Sequence, residues 1–134
     1  MLATDARPPS ILITDADDAV RSVLDEVFQG QGFNTLLACD GQQALEIVQG
    51  QTVHVVVADM HMPRLTGLEL IRSIGKFKAE LPCILMSAAA DEHLLEQARL
   101  VRAYSVLAKP VTRRQITRSV ATALLTAYDW RFTS

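Results

Sequence analysis

The chain predicts an α/β domain, a parallel sheet wound with helices on both faces, and three features of its sequence carry that expectation. Short apolar runs alternate with segments of helical period along nearly the whole length. The runs are almost continuously hydrophobic and rich in β-branched residues, as strands covered on both faces are. At 134 residues and 49% hydrophobic, the chain suits one domain with a sizeable core.

The runs are ILIT (11 to 14), TLLA (35 to 38), VHVVVA (53 to 58), CILM (83 to 86) and SVLA (105 to 108). After the first comes a segment in which Val20, Val23, Leu24, Val27 and Phe28 follow one buried helical face, closed by Gly30 and Gly32. Asp17 or Asp18 supplies its cap. The second helix opens at Asp40 with Gln43, buries Ala44, Leu45 and Val48, and stops at Gly50. Thr66 with Glu69 makes a capping box for the third, which buries Leu70, Ile71 and Ile74. The fourth sets Leu94, Leu95, Ala98 and Val101 on one side. The fifth opens with Thr112 and Gln115 and aligns Ile116, Val120, Leu124 and Ala127. Strand and helix units of this length imply right-handed crossovers and a parallel sheet. The expected organisation is a flexible lead-in over 1–9 ending in Pro8-Pro9, a domain over 10–127, and a tail over 128–134 that holds the only tryptophan, Trp130.

A net charge of −2 gives no general reason to expect direct nucleic-acid binding. Cys39 and Cys83 are isolated and no leader is recognisable, so a reduced, cytoplasmic setting is expected rather than a disulfide framework. No apolar stretch approaches the ~20 residues needed to span a bilayer.

Listing the residue that follows each run brings out the chemistry: Asp15 after ILIT, Asp59 after VVVA, Ser87 after CILM and Lys109 after SVLA. The carboxyl ends of strands in an open parallel sheet emerge on one edge, where ligands bind, so these four groups should meet. Two carboxylates are hard oxygen ligands for Mg²⁺; a lysine and a hydroxyl are donors for a phosphoryl group. Singly, each residue has a plainer role. Asp17 and Asp18 are better read as helix caps. Asp59 resists that reading, because no helical pattern starts before about Thr66. His54 and His93 read as surface or strand-entry residues, Cys39 and Cys83 as structural, Arg64 as either solvated or a contact for a phosphorylated partner.

A longer pattern surrounds the four: Asp59-Met60-His61-Met62-Pro63 followed by Gly67-Leu68-Glu69-Leu70, then Ser87-Ala88, then Lys109-Pro110. On these motifs the chain, from about Ile11 to Ala127, resembles a receiver domain of the response regulators of two-component signal transduction, the CheY-like superfamily. The resemblance implies a flavodoxin-like, doubly wound (βα)5 three-layer sandwich with strand order 2-1-3-4-5. It implies that Asp59 accepts a phosphoryl group from the phosphohistidine of a sensor histidine kinase or histidine phosphotransfer protein, becoming an aspartyl phosphate. Lys109 would pair with Asp59 at rest and with a phosphoryl oxygen afterwards; Ser87 would bond another and draw in its loop. Mg²⁺ would be held by Asp15, Asp59 and the backbone carbonyl of His61, and the peptide before Pro110 would be cis. The face built by the fourth helix, fifth strand and fifth helix would meet an output protein or domain, or a second copy in a homodimer. Such chemistry is phosphoacceptance and autodephosphorylation rather than metabolic catalysis.

Two positions depart from the family pattern. Ala16 stands where the second member of an acidic pair normally touches the metal, so Mg²⁺ is expected to bind weakly, with Asp17 the candidate substitute ligand. Val106 stands where an aromatic residue normally moves on activation; Tyr104, two residues earlier, should share its strand face and is the candidate replacement. Both departures feed a rival expectation, a pseudo-receiver that signals by contact without phosphorylation. A phosphatase with an aspartyl intermediate is a further rival, but it lacks a clear general acid and substrate pocket.

Overall fold

The computed structural model describes residues 7–131. Residues 1–6 of the expected lead-in and 132–134 of the expected tail lie outside the described residues. In order come β1 (Ser10–Thr14), α1 (Asp18–Gly30), β2 (Asn34–Ala38), α2 (Gly41–Gly50), β3 (Val55–Asp59), α3 (Gly67–Gly75), β4 (Cys83–Ser87), α4 (Glu92–Leu100), β5 (Ser105–Ala108) and α5 (Arg113–Tyr128). The strands form one parallel sheet in the order β2-β1-β3-β4-β5.

The continuous apolar runs conceal a period of two, because each face of the sheet is covered. Leu12, Val56, Ala58 and Leu85 point to one side, where they pack against Ala44 and Val48 of α2, Leu70 and Ile74 of α3, and Leu94 and Ala98 of α4. Ile11, Ile13, Val57 and Met86 point to the other, against Leu24 and Phe28 of α1 and Ile116, Val120 and Leu124 of α5. The result is a three-layer sandwich with two cores. Not every apolar position in the helical patterns is used. Val23 is 59% exposed and Leu95 47%, and Ala127 is exposed as well.

Short polar side chains start every helix. Asp17 caps α1 through the amides of Ala19 and Val20, Asp40 caps α2 through that of Gln43, and Asp91 caps α4 through that of Leu94. Reciprocal boxes, Thr66 with Glu69 and Thr112 with Gln115, start α3 and α5.

Strand β3 begins at Val55, two residues later than the apolar run, because β1, its neighbour, first pairs with it at Ile11. Pro9, within the expected lead-in, is buried and its carbonyl accepts from the Asn34 amide at 3.0 Å. At the other end α5 includes Tyr128, whose hydroxyl donates to the His54 carbonyl at 2.8 Å. Asp129 then turns the chain in a left-handed conformation, and Trp130 packs edge-on to His54.

Candidate functional site

Parallel register brings Thr14, Asp59 and Ser87 to the same edge of the sheet as the last residues of β1, β3 and β4. Asp15 follows β1 and Lys109 follows β5. Asp15 is 1% exposed, Asp59 6% and Ser87 0%. The Lys109 ammonium donates to Oδ2 of Asp15 at 2.8 Å and lies 3.0 Å from Oδ1 of Asp59. Residues 94 and 50 positions apart in sequence are thereby joined through one ammonium.

Burying a carboxylate disfavours its charged form, and opposite charges restore it. Burial pushes the Asp59 carboxyl above its ordinary value; repulsion from Asp15 acts in the same direction, while the Lys109 hydrogen bond and charge and the nearby His61 oppose it. Burial pulls Lys109 down, but its bonds and charge interactions with Asp15 and Asp59 outweigh that and hold it above its ordinary value. The arrangement is a charged pocket in which the Lys109 ammonium is shared between two anions.

The backbone holds these groups in place. The amide of Met60 donates to the Met86 carbonyl at 2.8 Å, that of Lys109 to the Ser87 carbonyl at 2.8 Å, and that of Gly67 to the Met60 carbonyl at 3.1 Å. Gly67 is required by space: a Cβ there would stand 2.6 Å from the Asp59 carbonyl oxygen and 2.5 Å from Cδ1 of Leu85. The Lys109-Pro110 peptide is cis.

Ser87 reaches the same edge, but its hydroxyl accepts from the Ala89 amide at 3.0 Å within its own loop. The His61 side chain is exposed beside the pocket. Asp17 does not join the site. Its carboxylate is exposed, with Oδ1 accepting from the Ala19 and Val20 amides of α1, and its own amide donates to Oδ1 of Asp15 at 2.9 Å.

Tyr104 does not share the face of Val106. It packs in the α1/α5 core with Leu107 and Trp130, whereas Val106 packs in the core under α4. Tyr104 precedes β5 in a bend after Arg102, whose φ is 62°, so the two-residue alternation of a strand does not extend back to it.

Two residues escaped the sequence reading, and a third was seen there only within a motif. Arg21 donates through Nη1 to the Asp15 carbonyl at 2.6 Å and pairs with Asp18, clamping the turn after β1. Its spacing, one helical turn past the cap, was the available signal. Thr14 buries its hydroxyl oxygen with no partner among the described residues. Gly67 was legible only as part of a motif, since its reason is a three-dimensional contact.

Among the described residues no three His, Cys, Asp or Glu side chains converge as a ready-made metal centre. The donor set nonetheless fits a hard cation, because two buried carboxylates share a single ammonium. Mg²⁺ commonly takes only one or two protein carboxylates and completes its shell with water and substrate oxygens. Next to Lys109 lies an apolar cavity of 270 Å³, walled by Val20, Val23 and Leu24 of α1 and by Pro110 and Val111.

A family model for the response regulator receiver domain matches residues 11–121. The Regulator of RpoS of Escherichia coli (strain K12) is 36% identical over 101 residues, covering 75% of this chain and 30% of that protein. Sporulation initiation phosphotransferase F of Bacillus subtilis (strain 168) is 31% identical over 100 residues, 75% of this chain and 81% of its own length. The chain thus spans less than a third of the first relative and most of the second. Among solved structures, a CheY-like receiver domain protein from Methanospirillum hungatei JF-1 superposes with a TM-score of 0.87 at 19% identity, over 91% of this chain and 98% of its own; at that identity the likeness speaks for the fold alone.

Proposed function

As the chain belongs to the response regulator receiver domains of two-component signalling, we propose that Asp59 is its phosphoacceptor, taking a phosphoryl group from the phosphohistidine of a partner kinase or phosphotransfer protein. The observation that carries the reading is the single ammonium of Lys109 bridging two buried carboxylates from different strands. With Oδ1 of Asp59 engaged by Lys109, Oδ2 is the nucleophile. The new Oδ–P bond forms as the P–N bond breaks in line with it, and the imidazole nitrogen keeps the bonding pair and takes up a proton. Lys109 then follows the charge onto a phosphoryl oxygen. The Ser87 hydroxyl exchanges its contact with the Ala89 amide for another phosphoryl oxygen and draws the β4–α4 loop inward.

Asp15, Asp59 and the His61 carbonyl are the residues that would hold Mg²⁺, which when bound offsets charge spread over the equatorial oxygens. With Ala16 in place of an acid, that binding is weak. The apolar cavity beside Lys109 seats the partner's histidine-bearing surface, and the exposed Leu95 and Leu100 of α4 belong to the face that meets an output partner or a second copy. A cytoplasmic setting is part of this reading, and no helix among the described residues is long and apolar enough to cross a membrane.

The test is incubation with a small phosphodonor and Mg²⁺, read by intact mass. One phosphoryl addition to the wild type and none to Asp59→Ala is expected. No addition to either favours the second reading, a pseudo-receiver that signals by contact, for which Ala16 and Val106 speak. Equal addition to both proteins would place the acceptor elsewhere.

A further inference from the structure

The segment between Asp59 and α3 is clamped at both ends. Its first amide, Met60, is bonded to Met86, and its exit, Gly67, is bonded to the Met60 carbonyl and pressed against the Asp59 carbonyl. A displacement at Asp59 has to be taken up in the interior of the loop. There the chain makes a γ-turn: the Leu65 amide donates to the Pro63 carbonyl at 2.9 Å, with Arg64 between them at φ 73°. This is the rare, strained form of the turn, and Arg64 has a Cβ, so the conformation persists only because its surroundings impose it.

Those surroundings belong to α2. Nε of Arg64 lies 3.8 Å from Oδ2 of Asp40, while the other oxygen of that carboxylate caps the helix through the Gln43 amide at 2.8 Å. Leu65 sits so close to Gly41 that a Cβ there would stand 2.5 Å from its Cβ and 2.6 Å from its carbonyl oxygen. The strained turn is therefore held by one ion pair and one tight backbone contact, both to the first residues of α2. Meanwhile the route through β5 has lost its usual moving part, with a valine at 106 and Tyr104 on the other side of the sheet.

We propose that the Pro63–Leu65 turn is a latch that transmits the state of Asp59 to the amino end of α2, giving this domain an output path through α2. The proposal rests on the phosphoacceptor reading. Phosphorylation replaces the single charge of the Asp59 carboxylate by roughly two on the phosphoryl group, a net gain of about one negative charge at the start of the loop. Arg64, the cation within that loop, is then drawn between the new anion and Asp40. Its solvent-facing pair with Asp40 is weak enough to exchange, and release lets the γ-turn relax. Asp40 loses its second contact, and the first turn of α2, including the Ala44 amide bonded to the Asp40 carbonyl at 3.1 Å, loosens.

Amide hydrogen exchange resolved at Gln43 and Ala44 tests this, with and without phosphodonor and Mg²⁺, in wild type, Arg64→Gly and Asp40→Asn. Glycine adopts the positive φ without strain, and asparagine keeps the cap while removing the charge. Phosphorylation should speed exchange at Gln43 and Ala44 by about fivefold or more in the wild type and by less than about twofold in either variant. Phosphoryl uptake and the response at Ala89 should persist in all three. Unchanged exchange at Gln43 and Ala44 in phosphorylated wild type, or an equal response in the variants, overturns the latch. Should Asp59 take no phosphoryl group, the functional reading fails separately. The same amides are then compared between wild type and Asp59→Asn, where neutralising the charge should slow them; no difference overturns the latch on its own.

Discussion

Replacing Lys109 with methionine tests the charge arrangement directly, because it removes the cation the two buried carboxylates share while keeping a side chain of similar length. Its ammonium is 2.8 Å from Asp15 and 3.0 Å from Asp59, and its side chain is 21% exposed. Breaking a buried pair from one side costs about 3–5 kcal/mol, and the partial exposure of Lys109 argues for the low end, about 3 kcal/mol. With a urea m-value of about 2 kcal/mol/M, the unfolding midpoint at pH 7 should fall by about 1.5 M. Adding Asp59→Asn removes one of the stranded charges and should recover about half of the loss. The pH dependence has a definite sign. Asp59 already sits above its unfolded value of 3.8 through burial and Asp15, and losing Lys109 raises it further. A carboxyl raised in the folded state stabilises below its unfolded value and loses that stability as pH rises through its folded value. The deficit of Lys109→Met should accordingly be small near pH 4 and complete at pH 7. Urea titrations at both pH values decide it. A variant within about 0.5 kcal/mol of wild type at pH 7, or a deficit that ignores pH, refutes the reasoning.

Thr14→Val replaces a buried hydroxyl that has no partner among the described residues by a methyl of the same shape, and should raise stability by about 1 kcal/mol in thermal or urea unfolding. Gly67→Ala forces a Cβ against the Asp59 carbonyl and Leu85, so a loss of about 2 kcal/mol and slower phosphoryl uptake by intact mass should come together. Ala16→Asp restores an anionic ligand and should raise Mg²⁺ affinity about tenfold in a calorimetric titration without phosphodonor; an unchanged affinity would remove Ala16 from the account of weak binding.

Most of the fold was readable because both of its determinants are local. Strands buried on two faces write themselves as unbroken apolar runs, and Thr66-Glu69 and Thr112-Gln115 announce helix starts within four residues. The site was readable for a different reason: in a parallel sheet, strand ends converge whatever lies between them. What failed depended on contacts that no local pattern encodes. Val23 and Leu95 follow helical spacing yet face outward, since α1 and α4 bury a narrower stripe than the spacing suggests. Tyr104 obeys the strand alternation on paper, but the ladder begins one residue later. Arg21, Gly67 and the Arg64 turn owe their roles to neighbours that only folding brings near.

The loss of an acid at Ala16 is less damaging to this site than ligand counting implies. At rest Asp15, Asp59 and Lys109 leave one uncompensated negative charge; an aspartate at position 16 would leave two. On the phosphoacceptor reading, weak metal binding would slow phosphoryl transfer by leaving Asp59 less shielded, but one fewer fixed anion would also lower the repulsion that an incoming phosphoryl group meets. The two effects oppose each other, and their balance depends on ionic conditions, since Mg²⁺ relieves the first and the protein alone supplies the second. Ala16→Asp should therefore gain in phosphoryl uptake at saturating Mg²⁺ and lose at low Mg²⁺. A variant faster than wild type at every Mg²⁺ concentration would mean that repulsion was never limiting and that Ala16 weakens the site without compensation.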